Sequence, residues 1–391
     1  MRLADAWAVQ APIVLFAVFA ATVANTTVFA TLGLYGRSAG LSEFEVGVVF
    51  ASSGLLFFLT SSHWGRLSDR VGRARVMAAG LAATALSLFL FAGLYVAGGT
   101  FLFLLLARSI YGLLAGSIQP AATAWMADHT PADNRAAGVA LVGASVGIAS
   151  VAGPVLAAAV VGFGLTVPVA IGGVLAALAA ATTLLGLRDA RPNVEPGAAG
   201  TPVDGLAPYL ATGFAMVLGF GALQPTTAFY IQDRFGLATA EAIRQASLAS
   251  AGFAACSFAV QAFVVRRLSG LPRRLLTIGF AICLLGTGGS LAAPTSGALV
   301  AAFGVLGLGY GLAQSGLAAG ASVLGGKHRQ GQVAGRLQAA MSAAWIAGAL
   351  GGTAFYPLSI RTPLLVAGAA MALSLGLVYA GVSPATSQIR R

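Results

Sequence analysis

Charge is what this chain has least of. Of its 391 residues, 22 are Lys or Arg and 11 are Asp or Glu, 8% together, against about 25% in a soluble domain. A soluble fold of this length could not solvate its surface with so few charges, which excludes that class. Cysteine is nearly missing as well. Cys256 and Cys283 fall in neighbouring apolar stretches, so no disulfide framework is expected. His63, His129 and His328 lie too far apart in sequence to suggest a metal site, and none is expected. A nucleotide loop is also lacking. The nearest approach, "GASVLGGKHR", would need Gly at 321 and Ser or Thr at 328 around Lys327, and Ala321 and His328 stand there. Neither ATP-driven transport nor a bound cofactor is expected.

What the chain has instead is apolar length. Hydrophobic residues make up 58% and the mean hydropathy is +0.88. Runs poor in charge recur, each about 20 residues or more, the length a helix needs to cross a bilayer core of roughly 30 Å. Twelve spans are expected, near 10–34, 44–63, 75–97, 100–124, 136–161, 166–187, 206–231, 243–265, 274–292, 297–321, 336–356 and 362–382. They must be helices, because open strands would leave backbone groups unpaired in lipid. The first is too long, and its flanks too poor in cations, for a cleaved signal peptide.

The cations set the orientation. Of the 22 Lys and Arg, 17 fall in segments that are inside if the N-terminus is inside, four (Arg37, Arg234, Arg244 and Arg361) fall outside, and Arg108 lies within a span. By the positive-inside rule both termini are cytoplasmic, in the plasma (inner) membrane. The net charge of +11 then reads as topology and attraction to anionic lipid, not as nucleic-acid binding.

The longest polar interruption, "RDARPNVEPGAAGTPVDG" from Arg188 to Gly205, reads as a cytoplasmic linker over 188–205. It separates an N-terminal six-helix half, 1–187, from a C-terminal one, 206–391. Internal similarity supports the division. "TTVFA" at Thr26–Ala30 recurs as "TTAFY" at Thr226–Tyr230, and "YGLLAG" at Tyr111–Gly116 as "YGLAQS" at Tyr310–Ser315. "GRLSDRVGRAR" at Gly65–Arg75 recurs in degenerate form as "RRLSGLPRR" at Arg266–Arg274. A common spacing argues for duplicated halves. The expected fold is an all-α membrane protein of twelve transmembrane helices in two pseudo-symmetric six-helix halves.

"GRLSDRVGRAR" resembles the signature loop of the major facilitator superfamily, G-x-L-x-D-x-x-G-R-[KR]-[KR]. Gly65, Leu67, Asp69, Gly72, Arg73 and Arg75 match, and Ala74 departs from a basic position. "RSIYGLLAG" places Arg108 where that superfamily carries an intramembrane arginine. "GIASVAGP", with Gly147, Gly153 and Pro154, resembles the motif of its twelve-span drug-proton antiporters. The resemblance implies a secondary transporter, not an enzyme, that rocks two halves about a central cavity. It implies gating roles for Gly65, Asp69, Gly72, Arg73, Arg135, Gly147, Gly153 and Pro154. Asp69 stands ahead of a helix start and, by resemblance, bonds across to the other half; the loop arginines meet lipid phosphates. Gly65 and Gly72 are expected to supply special backbone angles, and Gly153-Pro154 a break or kink in span five.

All eleven carboxylates map to loops or span ends, a departure from exporters of cationic drugs, which resemblance would give an embedded acid. Arg108 is the charge at depth, costly unless it faces a cavity or partner. Asn25, Arg108 and Gln224 fall at similar depth in spans one, four and seven, which line the cavity of the resembled fold. An unpaired cation beside two amides suits a neutral or anionic ligand; the alternative is that Arg108 only bonds backbone carbonyls and water. Tyr111 and Gln119 share its helical face, and Tyr310, Gln314, Gln338 and Trp345 add lining. The expected function is proton-coupled efflux of a small amphipathic compound, neutral or anionic, by a monomer in the lipid bilayer. Uptake of an organic anion or siderophore-like molecule is the alternative. An intramembrane enzyme would need a nucleophile–base or metal constellation, and the sequence displays none.

Overall fold

The computed structural model describes residues 3–96, 101–131, 134–189, 203, 205–264, 271–325 and 329–381. The chain divides into two compact units, residues 1–196 and 197–391. The first holds α1 (Leu3–Ser38), α2 (Glu43–Val71), α3 (Arg73–Val96), α4 (Phe101–Ala115), α5 (Ile118–His129), α6 (Arg135–Val160) and α7 (Val167–Gly186). The second holds α8 (Ala207–Phe235), α9 (Thr239–Ala259), α10 (Pro272–Ala292), α11 (Ser296–Gly325), α12 (Gln330–Ala354) and α13 (Thr362–Gly381). No strand occurs among the described residues.

Eleven helical stretches of the described residues are long and apolar enough to cross a membrane. The remaining span is α12, long enough but diluted by Gln330, Gln332, Arg336 and Gln338. Helix ends carry local signals. Ser42 caps α2: its hydroxyl accepts the Glu45 N–H at 3.3 Å while the Glu45 carboxylate takes the Ser42 N–H at 2.8 Å. Gly236 closes α8 in the left-handed conformation, φ +62°.

The fourth span, expected as one helix over 100–124, is two. The Ser117 N–H turns back to the Leu114 carbonyl at 3.1 Å, so the Leu113 carbonyl loses its helical donor. Thr60 Oγ1 at 3.0 Å and Trp64 Nε1 at 2.6 Å, both from α2, donate to it instead. Span five, expected to break or kink at Gly153-Pro154, does not break: α6 runs through both residues. Gly153 is where α1 crosses: an added Cβ would lie 2.8 Å from the Val23 carbonyl, and Thr27 Oγ1 donates to the Gly153 carbonyl at 3.2 Å.

Both units use one packing scheme. The first helix of each (α1, α8) lies on the fifth and sixth spans, the second (α2, α9) on the fourth, and the third (α3, α10) on the fourth and sixth. The repeated Tyr-Gly pair explains one contact in each. A Cβ on Gly112 would meet the Ser53 carbonyl of α2 at 2.6 Å, and one on Gly311 the Ser257 carbonyl of α9 at 2.7 Å. Backbones touch there, which only glycine permits. Gly143, by contrast, faces open space. The repeated loop at Arg266–Gly270 lies outside the described residues, as do Lys327 and His328 and most of the 188–205 segment.

Candidate functional site

Arg108 lies on α4, one turn ahead of Gly112, and is only 1% exposed. Its Nη2 donates to Asn25 Oδ1 of α1 at 3.4 Å and to Ser53 Oγ of α2 at 3.3 Å, both long. The guanidinium carbon stands 4.4 Å from the Tyr111 ring centroid and 6.0 Å from that of Phe29, so two aromatic faces share its charge. Nε and Nη1 are buried with no hydrogen-bond partner. No carboxylate is among its contacts with the described residues. Among the described spans, Glu43, Glu45, Asp128, Asp233 and Glu241 all stand within a turn of an end. The site is therefore a desolvated cation with two nitrogens that lack a hydrogen-bond partner, a chemistry that favours an electron-rich oxygen.

Three of the expected lining residues meet here: Asn25, Arg108 and Tyr111. Ser53 and Phe29, from α2 and α1, were missed; Ser53 is visible in sequence only as a small polar residue in an apolar run. Gln119 does not join them. It lies on α5, beyond the turn that divides the span, and is exposed.

The other expected residues sit in the second unit. Gln224 is half-buried on α8, ahead of Pro225. Tyr310 of α11 and Trp345 of α12 gather around Phe220 of α8, with ring centroids 4.9 and 5.7 Å away, and Phe253 of α9 stacks on Phe220 at 4.9 Å. Four spans thus contribute one aromatic group, and its centre, Phe220, carries no motif that would mark it in sequence. Gln314 and Gln338 face a cleft between α11 and α12.

The signature loop is shorter than its motif suggests, since Gly72 alone separates α2 from α3. Gly72 has φ +107° and ψ 140°, a conformation open essentially to glycine. Gly65 does not share that need; it lies inside α2 in open space. Asp69 is also inside α2, in its last turn, and not ahead of a helix start. The carboxylate that meets the α3 N-terminus is Asp189, whose Oδ1 accepts the Ala74 N–H at 2.7 Å. Its neighbour Arg188 is held too, its N–H donating to Gln10 Oε1 at 3.0 Å and its carbonyl accepting from Trp125 Nε1 at 3.3 Å. Arg73, expected to meet lipid, is instead shared by Asp69 at 3.1 Å and Asp128 at 2.6 Å. Arg135 is exposed at the start of α6, and Gly147 is half-buried along it.

Comparison with known proteins adds three findings. The family model described as Major Facilitator Superfamily matches residues 14–349. Quinolone resistance protein NorA of Staphylococcus aureus is 29% identical over 127 residues, 32% of each chain. Multidrug resistance protein 2 of Bacillus subtilis is 31% identical over 149 residues, 38% of this chain and 36% of that one. The chain thus aligns with only about a third of the length of these curated relatives. A crystal structure of a bacterial homologue of the human lysosomal transporter Spinster, inward-facing and occupied, superposes with a TM-score of 0.74 over 97% of both chains at 13% identity.

Proposed function

Because the chain belongs to the Major Facilitator Superfamily, and so is an integral membrane transporter, we propose that it exports a small amphipathic compound, neutral or anionic, in exchange for protons. Two six-helix halves joined by the 188–205 linker would alternate access to the site, as a monomer in the plasma membrane with both termini cytoplasmic. The observation that carries the ligand class is Arg108. A guanidinium buried to 1% exposure, with two nitrogens unbonded and no acid in contact, repels a lipophilic cation and favours an oxygen-rich group. The aromatic group around Phe220 supports an amphipathic ligand with a flat apolar part. Export is supported by the names of the two bacterial relatives, both resistance proteins. Proton exchange rests on the resemblance to the antiporter branch.

The test is flux in proteoliposomes. Purified protein should move an aromatic carboxylate or its neutral amide, saturably, when a pH gradient is imposed, and should move a quaternary ammonium of matched hydrophobicity far less. Preferred transport of the cation would overturn the ligand class. Flux indifferent to the gradient would overturn proton exchange.

A further inference from the structure

The second unit holds a cleft that the Arg108 site does not use. One stripe of α11, carrying Gln314, Leu317 and Ser322, faces one stripe of α12, carrying Gln330, Leu337 and Gln338, around a cavity of about 330 Å³. Residues three, four, seven and eight apart share a helical face, so each wall is a single continuous stripe. Gly213 of α8 backs the floor: a Cβ there would stand 2.9 Å from Leu317 and 3.1 Å from Leu337. No charged residue is among the described residues that line the cavity.

Two observations make this more than a packing gap. Ser322 and Gln330 are exposed near the helix ends, and Gln338 is exposed two turns inside α12, where an amide turned toward lipid would be costly. The polar stripe that keeps α12 below span-grade apolarity therefore belongs to a surface that takes polar company. Secondly, Gln314 Oε1 is buried and accepts no hydrogen bond, although an unmet buried acceptor costs about 1–3 kcal/mol. Leu317, Leu337 and the flexible Met341 supply apolar contact beside it. With no charge among the described lining residues and an unmet acceptor, the chemistry favours an uncharged group that donates a hydrogen bond.

We propose that this cleft is a second ligand subsite, which takes a neutral apolar or aromatic moiety bearing an N–H or O–H donor directed at Gln314 Oε1. It adds to the transporter reading and rests on that reading only for its use in transport; occupancy can be tested without flux. At about 330 Å³ the space suits one bicyclic group or a substituted ring, near the small end of ligand pockets.

The probes are 2-phenylindole and 1-methyl-2-phenylindole, which share a ring system and differ in the donor. Both are titrated by their own fluorescence against the purified full chain in detergent. The wild type should bind the N–H compound about fivefold more tightly, the worth of one buried hydrogen bond. Gln314→Met keeps the side-chain size and removes the acceptor, and should bring the two probes to within about twofold, the scatter of a neutral change. Leu337→Trp should fill the cleft and weaken both. Gly213→Ala, which drives Leu317 and Leu337 inward, should weaken both to a lesser degree. Each variant is first checked for a single monodisperse species. Equal affinities in the wild type, a preference for the N–H probe that survives Gln314→Met, or unweakened binding of both probes to Leu337→Trp would overturn the subsite. Arg108→Lys should leave the preference intact. A wild-type protein that shows the preference but no saturable flux would count against the export reading alone, and one that shows flux without the preference against the subsite alone.

Discussion

Arg108 keeps a full charge where solvation is poor, and its partners meet only part of the need. Asn25 and Ser53 both receive Nη2 at more than 3.2 Å, while Nε and Nη1 are left open. The Tyr111 face at 4.4 Å steadies the plane of the group. A lysine would retain the charge and lose both the plane and the fork. Arg108→Lys should therefore weaken binding of an aromatic carboxylate about tenfold, and of its neutral amide less, because bidentate pairing to a carboxylate is what Lys cannot reproduce. Arg108→Ala should weaken both further. Calorimetric titration of the purified variants checks the order, and equal affinities for wild type and Lys variant would return Arg108 to a packing role. The depth and isolation of this residue were legible in sequence, since one charge in a run of apolar residues needs no structure to be noticed. Of its neighbours, Tyr111 was legible because it shares the helix, and Asn25 because the resembled fold sets spans one, four and seven about one cavity. Ser53 and Phe29 reach it through the crossing of α2 and α1, which no local pattern announces.

At the scale of the element, the α2–α3 junction depends on a residue more than a hundred positions away. α3 begins immediately after Gly72, so its first N–H groups have no capping side chain in the preceding turn. Asp189, arriving at the end of α7, accepts one of them at 2.7 Å. A Cβ on Gly72 would fall on the Asp189 carboxylate. Asp189→Ala should cost about 1 kcal/mol, as the loss of a helix cap does. Gly72→Ala should cost more, about 1–3 kcal/mol for the backbone conformation alone, and should also displace Asp189. Because both changes break the same cap, the double variant should melt above the temperature expected from adding their separate effects. Thermal denaturation of the three purified proteins tests this, and simple additivity would show that the carboxylate and the turn act independently. Sequence reading placed these spans because lipid demands about 20 apolar residues in a row. It misplaced Asp69, and overlooked Asp189, because a cap delivered from the far end of a bundle leaves no local signature. The turn at Gly116–Ser117 escaped for the same reason, since Thr60 and Trp64, which satisfy the freed carbonyl, belong to α2.

Across the whole molecule the duplication was readable because glycine is irreplaceable where backbones touch, at Gly112 on Ser53 and at Gly311 on Ser257. The signature loop is where the two halves diverge, with Asp69 in the first and Gly270 at the corresponding place in the second. That difference bears on the proposed proton exchange, since the described spans offer no acid at depth. Glu43 is paired with Arg37 at 2.6 Å, Glu45 is held by the Ser42 capping box, and Asp233 accepts the Tyr356 hydroxyl at 2.7 Å. Asp69 and Asp128 differ from these in sharing one guanidinium, that of Arg73. Asp128 makes the shorter contact, 2.6 Å against 3.1 Å, and ties α5 to the loop, which leaves Asp69 as the member that can release Arg73. Asp69→Asn should therefore abolish pH-driven flux in proteoliposomes while substrate exchange at equal concentrations, which needs no net proton movement, continues. Asp128→Asn should impair both, because it frees α5 from the loop as well. Retention of pH-driven flux by Asp69→Asn would place the proton elsewhere and reduce the loop to a fastening between helices.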